Sequence, residues 1–267
     1  MKRRKVLAED ADKYALYQVS VQNPEASVHH LSRFYRDAYG GSPRVLREDF
    51  CGGAAVSCAW VESQKEREAW GVDIDDEPIM WGLINNVLPM ERHHNARIRL
   101  VHADARTART PPADVVAAQN YSWFIFRTRA DLLTYFRSAH RNLDSKGLLV
   151  LDMMGGGALQ TESCVESRRV GRFTYVWDQL AFNPRTHEAI FHIHFRFPDG
   201  SMMRRAFEYP WRIWTMPEVH ELLDEAGFRK THVYWGVRDS RSGDLVYRQL
   251  KVPTPDPSWL AYVVAVK

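Results

Sequence analysis

Cysteine is scarce: the 267-residue chain has three, Cys51, Cys58 and Cys164. They form no Cys-x-x-Cys pair and leave one thiol over. That argues against a disulfide framework or structural zinc and for a reducing compartment. No apolar run is long enough to cross a bilayer. Charge of one sign is also missing. Lys and Arg number 36 against 33 Asp and Glu, a net +3, too small for the footprint of a nucleic-acid partner. The basic opening "MKRRK" meets "VLAEDADKYA" rather than an apolar stretch, so no secretory signal is expected. Together these point to a soluble cytoplasmic protein. A Gly-x-Gly-x-x-Gly fingerprint is lacking too, which counts against a nicotinamide-dependent reductase.

The chain is 45% hydrophobic and 26% charged, enough for a sizeable core. Residues 10–39 read as helical, broken at Asn23-Pro24. Over 44–156 strand and helix alternate: "RVL", "AAVSCAWVES", "AWGVDID", "EPIMWGLINNVLPM", "IRLVHADA", "ADVVAAQN", "RADLLTYFRSAHRNLD", "GLLVLDMMGG". That alternation predicts a parallel sheet with helices on both faces. Ligands of such sheets bind at the carboxyl ends of the strands, where Glu48, Asp73, Asp104, Asn120 and Asp152 fall. After Gly157 the pattern becomes β-rich, with turn signals "NPRT" and "PDG", and reads as an antiparallel meander. "TMPEVHELLDEAGF" returns to helix, with Thr215 as N-cap and Gly227 as the stop. Two closing strands follow.

In "VLREDFCGGAAVSCAWV" a strand becomes a helix through two glycines, a turn that lets a ligand approach the backbone. Asp73 lies at the end of the next strand, about 20 residues on, where an acid accepts hydrogen bonds from ribose hydroxyls. With Asp104 closing the third strand, the set suits a nucleoside cofactor without a pyrophosphate.

These segments resemble the class I S-adenosylmethionine-dependent methyltransferases. "LREDFCGGA" stands where that family usually reads like "VLDLGCGTG", with Phe50 and Ala54 in place of the outer glycines. "GVDIDDEPI", "HADA", "DVVAAQNYSW" and "WTMPEVHELLDEAGF" follow in the family's order and spacing. The resemblance implies a Rossmann-like, mostly parallel seven-stranded sheet with helices on both faces. It implies S-adenosylmethionine held by Glu48, Phe50, Cys51, Gly52, Gly53, Ala54, Asp73, Ile74, Asp104, Ala105, Asn120 and Tyr121, with Tyr17 and Gln22 of the N-terminal segment. The expected divisions are an N-terminal helical lid (1–43), the cofactor-binding core (44–157), an antiparallel β insertion (158–214) and completion of the core sheet (215–267).

Displacement at a sulfonium needs alignment and exclusion of water more than a base. No base stands out, and Tyr121 is the one candidate catalytic residue. Tyr14, Gln18, Trp123, Arg127, Trp177 and Arg212 are candidates for binding substrate. His192 and His194 share a strand face, as period two requires, and no further metal ligand is evident; a polar face is the simpler reading. The missing Asn/Asp-Pro-Pro-Tyr signature and Pro-Cys pair favour a small-molecule acceptor over a nucleobase. In outline the insertion resembles that of glycine and sugar-amine N-methyltransferases, which implies N-methylation of a small molecule and a homodimer through the insertion. The alternatives are O-methylation, a protein or RNA acceptor, and a non-catalytic binding protein with this fold.

Overall fold

The structure is a computed structural model that describes residues 7–267. The basic opening segment and the reading made on it lie outside the described residues. Three N-terminal helices, α1 (Leu7–Asp10), α2 (Lys13–Val21) and α3 (Pro24–Tyr39), precede the sheet. The break between α2 and α3 falls at Asn23-Pro24. Asn23 accepts the Ala26 N–H, Pro24 fits the first turn, and Gly40 closes α3 in the left-handed conformation (φ 76°).

Strand and helix then alternate through β1 (Val45–Asp49), α4 (Ala55–Ser63), β2 (Glu68–Asp73), α5 (Asp76–Gly82), α6 (Arg92–Asn95), β3 (Ile98–His102), β4 (Ala113–Ala118), α7 (Arg129–Asn142) and β5 (Leu143–Gly155). A π-turn, Leu83–Val87, extends α5. The insertion supplies β6 (Cys164–Val170), β7 (Phe173–Asn183), β8 (Glu188–Arg196) and β9 (Met202–Arg212), which form a separate antiparallel sheet. The chain closes with α8 (Met216–Ala226), β10 (Lys230–Arg238), β11 (Leu245–Arg248) and β12 (Trp259–Val266). Thr215 and Glu218 form a full capping box on α8, and Gly227 ends it at φ 101°.

The main sheet runs β11-β10-β12-β5-β4-β1-β2-β3. The pairs from β5 to β3 are parallel and those from β5 to β11 antiparallel. It therefore has eight strands, not the expected seven. The extra one, β11, is four residues long and pairs only with β10. So short an edge strand, flanked by polar turns, leaves no periodic signature.

The core lies on both faces of the sheet. Leu46, Val115, Leu148 and Val150 pack under α3 and α4. Val116, Leu149, Leu151 and Met153 pack under α7, α8 and the insertion. One polar stretch behaves unlike its sequence. Arg47 and Asp49 of β1 are fully buried and paired at 2.7 Å. Arg47 also donates to the Ala105 and Ala108 carbonyls, and the Tyr135 hydroxyl donates to Asp49. This pins the loop after β3 to the first strand. Among the described residues no helix is long and apolar enough to cross a membrane.

The strand order reverses between β1 and β4. Beyond the carboxyl ends of strands on either side of such a reversal, the diverging connections leave a crevice.

Candidate active site

The turn after β1 is built from alternating left-handed residues: Phe50 (φ 58°), Gly52 (φ 49°) and Ala54 (φ 57°). The Cys51 N–H donates to the Val72 carbonyl at 3.1 Å, which keeps the turn on β2. The Gly52 N–H donates to Asp73 Oδ2 at 2.7 Å. Two glycines elsewhere let other elements come close. A Cβ on Gly71 would stand 2.9 Å from Cys51 Sγ, and one on Gly82 would stand 2.5 Å from the Gly53 carbonyl oxygen. A Cβ on Gly52 itself would meet nothing within 4 Å, so this backbone faces open space.

Three cavities run along this edge and share walls. The first, about 290 Å³, lies between Phe50, Asp73, Ile74, Asp104 and Ile125. The second, about 550 Å³, also borders Phe50, Asp73 and Ile74, then continues past Gly52, Gly53 and Asn120 to Tyr14, Tyr17 and Gln18 of α2 and to Gln22 just beyond it. The third, about 420 Å³, shares Tyr17, Asn120, Tyr209 and Trp211 with the second and extends to Tyr121, Tyr175 and Trp177.

Helix α2 closes the second cavity and is fastened on both sides. Asp12 accepts from Trp81 Nε1 at 2.5 Å, and Lys13 pairs with Glu77 at 3.1 Å. Gln18 and Asn86 exchange amide hydrogen bonds, and Asn86 Nδ2 donates to the Gly53 carbonyl at 2.7 Å. Toward the insertion, the Tyr14 and Tyr17 rings meet Phe207 at centroid distances of 5.8 and 4.9 Å. Arg168 donates to the Ser20 carbonyl.

Ionisation follows burial. Asp73 accepts the Gly52 and Asp75 N–H groups, and burial still raises its pKa above the usual value. Asp104 goes the other way, because Arg106 grips its carboxylate through both Nε and Nη2 and lowers its pKa. Burial pushes the phenols of Tyr17, Tyr121 and Tyr209 well up, and Tyr175 to about 12. The third cavity thus has neutral hydroxyls and aromatic rings on one wall, with Glu166 and Arg168 of β6 on another. Asp152, beneath it, accepts the Asn120 N–H at 2.6 Å and the Tyr121 N–H at 2.9 Å, and burial lifts its pKa to about 7.

Most sequence candidates for the cofactor converge here. Phe50, Cys51, Gly52, Gly53, Asp73, Ile74, Asp104, Ala105, Asn120, Tyr17 and Gln22 line the first two cavities, and Tyr121 lines the third. Glu48 and Ala54 lie apart from them. Glu48 is buried beneath the turn and accepts the Ser57 N–H and hydroxyl at 2.8 and 2.5 Å; burial moves its pKa to about 7. Ala54 is fully buried.

The candidates for substrate divide. Tyr14 and Gln18 line the second cavity and Trp177 the third. Arg127 borders the first cavity and pairs with Glu188 at 3.7 Å. Arg212 pairs with Glu218 at 2.8 Å and lies 3.8 Å over the Trp214 ring. Trp123 is a core residue, fully buried, and donates to the Asp152 carbonyl.

Sequence reasoning missed Asn86, Tyr175, Phe207, Tyr209 and Trp211. The last three follow period two in "FEYPW", which was legible as one aromatic face of a strand. The histidines of β8 are each paired with an acid: His192 with Glu208 at 2.9 Å and His194 with Asp178 at 3.3 Å. The Arg205 N–H donates to His194 Nδ1. Nδ1 of His194 thus accepts, and its Nε2 faces Asp178.

Neither a protein-family model nor a curated protein sequence matches the chain. Solved structures do. An S-adenosylmethionine-bound amino pentose methyltransferase from Micromonospora echinaspora is 14% identical, with a TM-score of 0.67 over 100% of this chain and 99% of that one. DesVI from Streptomyces venezuelae is 14% identical, with a TM-score of 0.69 over 98% and 99%. A sugar N-methyltransferase from a Streptoalloteichus species is 15% identical, with a TM-score of 0.65 over 100% and 95%. The fold is that of the class I S-adenosylmethionine-dependent methyltransferases.

Proposed function

We propose that the chain is an S-adenosylmethionine-dependent methyltransferase that methylates nitrogen on a small molecule. The observation that carries this reading is the run of connected cavities from the glycine turn to the ring-lined chamber under the insertion. The cofactor fits the residues present. Phe50, Ile74 and Ile125 offer apolar walls for adenine. Asp73 keeps acceptor capacity for ribose hydroxyls. The open backbone at Gly52, with Gln18, Gln22 and Asn120, suits the amino-acid end. When bound, S-adenosylmethionine supplies an electrophilic methyl group on a sulfonium.

The residues of the chain then have three tasks. Tyr17, Asn120, Tyr209 and Trp211 stand where the second and third cavities meet and align the acceptor with the cofactor. Helix α2 and the insertion cover the junction and keep water out. The phenols, all protonated at neutral pH, donate hydrogen bonds but do not take protons. An amine reaches its nucleophilic form by losing a proton to solvent, whereas an alkyl hydroxyl needs a base beside it. The residues shared by the two cavities include no carboxylate, since Glu208 borders only the second and Glu166 only the third, and this favours nitrogen.

Incubating the chain with methyl-labelled S-adenosylmethionine and cell extract tests the reading. Label is expected in the small-molecule fraction, stable to base hydrolysis. Label confined to protein or RNA, or released by base as from a carboxyl ester, would contradict it.

A further inference from the structure

Asn120 and Tyr121 are consecutive residues in the left-handed region, at φ 57° and 58°. Asparagine enters this region more readily than most residues and tyrosine does not, so the two in a row persist only when the surroundings hold them. The holder is Asp152. One carboxyl oxygen takes the Asn120 N–H and the other the Tyr121 N–H, so successive backbone donors converge on a single buried carboxyl group. The same residue's carbonyl accepts Trp123 Nε1 at 2.8 Å, which fixes the segment just beyond. The carboxylate stays in place because Asp152 pairs with Tyr262 of β12, and its neighbour Leu151 pairs with Ala118, the last residue of β4.

The turn it holds stands at the divide of the site. Asn120 borders both the second and the third cavity, and Tyr121 borders the third, with its ring 6.3 Å from that of Trp211. A small rotation of these two peptides would move the wall between cofactor and acceptor. We propose that Asp152 is a positioning residue for methyl transfer, its carboxylate clamping the Asn120–Tyr121 turn in the conformation that forms the junction between cofactor and acceptor. This inference rests on the methyltransferase reading. Asp152 acts through the turn: both oxygens are engaged by backbone donors.

A double-mutant cycle tests the clamp, with S-adenosylhomocysteine as probe and affinity read by calorimetry. Asp152→Asn keeps the shape but sets an amide N–H against one of the two donors. It is expected to weaken binding about tenfold in the wild-type background. Glycine accepts the left-handed conformation unaided, so in an Asn120→Gly background the same change should weaken binding by less than about threefold. Equal losses in both backgrounds, or none in either, would overturn the clamp. A merely structural role for Asp152 would give equal losses. If Asp152→Asn does not fold, hydrogen exchange on the wild type carries the test. The Asn120 and Tyr121 amides should exchange as slowly as those of β4, and fast exchange overturns the clamp. A folded wild type that binds neither S-adenosylmethionine nor S-adenosylhomocysteine overturns the functional reading itself.

Discussion

Asp73 joins the turn to the first cavity. Its carboxylate orders the Gly52 peptide and faces the space where ribose hydroxyls would lie. Asp73→Ala should weaken S-adenosylmethionine binding by about 2–4 kcal/mol, because two charge-assisted hydrogen bonds are lost. Stability should fall less, by about 1 kcal/mol, because the freed Asp75 N–H is exposed to water and only the Gly52 N–H is left part-buried and unpaired. Calorimetry and urea unfolding on one preparation check both, and an unchanged affinity in the folded variant would contradict the assignment. Glu48 makes a different prediction. Its pKa in the fold is about 7 against an ordinary 4.5, raised by burial. The folded state thus holds the proton more tightly, and this stabilisation is lost as pH rises from about 4.5 through 7. The loss is about 3 kcal/mol. In Glu48→Gln the Ser57 donors keep an acceptor, and the difference in unfolding free energy between pH 5 and pH 8 should shrink by up to that amount. Parallel pH profiles for the two proteins would contradict it.

Among the elements, the turn after β1 owes its shape to neighbours more than to its own glycines. The sequence offers only "FCGGA", without the usual outer glycines, and yet Phe50 and Ala54 adopt left-handed conformations. The compensation comes from Gly71 and Gly82, outside the motif, which let β2 and α5 press against the turn. Gly82→Ala would place a methyl 2.5 Å from the Gly53 carbonyl oxygen, a backbone atom with little freedom to yield. It should destabilise the fold by about 1–3 kcal/mol and weaken cofactor affinity at the same time. A fold and affinity both unchanged would show that the turn is not held from this side. The strand and helix alternation was legible because period and caps are local properties. Asn23-Pro24, Thr215 and Gly227 each act within a few residues of themselves. The acids at strand ends were legible by position but not by role. Asp73 and Asp152 differ from Glu48 only in which groups surround them, and those groups come from distant parts of the chain. Burial of the Arg47–Asp49 pair was not legible, since its partners Ala105, Ala108 and Tyr135 are 58 to 86 residues away.

At the scale of the molecule, the site belongs to no single layer. The carboxyl ends of the sheet strands and the turns beyond them supply Gly52, Asp73 and Asn120, helix α2 supplies Tyr17 and Gln18, and the insertion supplies Trp177, Tyr209 and Trp211. That is why the substrate side was read less well than the cofactor side. Arg127, Arg212 and Trp123 were chosen by residue type and closeness to a motif, whereas the chamber is shaped by strands β7 and β9 folding back over it. The central claim is that the connected cavities hold S-adenosylmethionine. Calorimetric titration of the wild-type chain with S-adenosylmethionine, S-adenosylhomocysteine and a nicotinamide dinucleotide tests it most directly. The account predicts one-to-one binding of the first two and no heat from the third. No binding of S-adenosylmethionine by the folded protein, or equal binding of the dinucleotide, would contradict it.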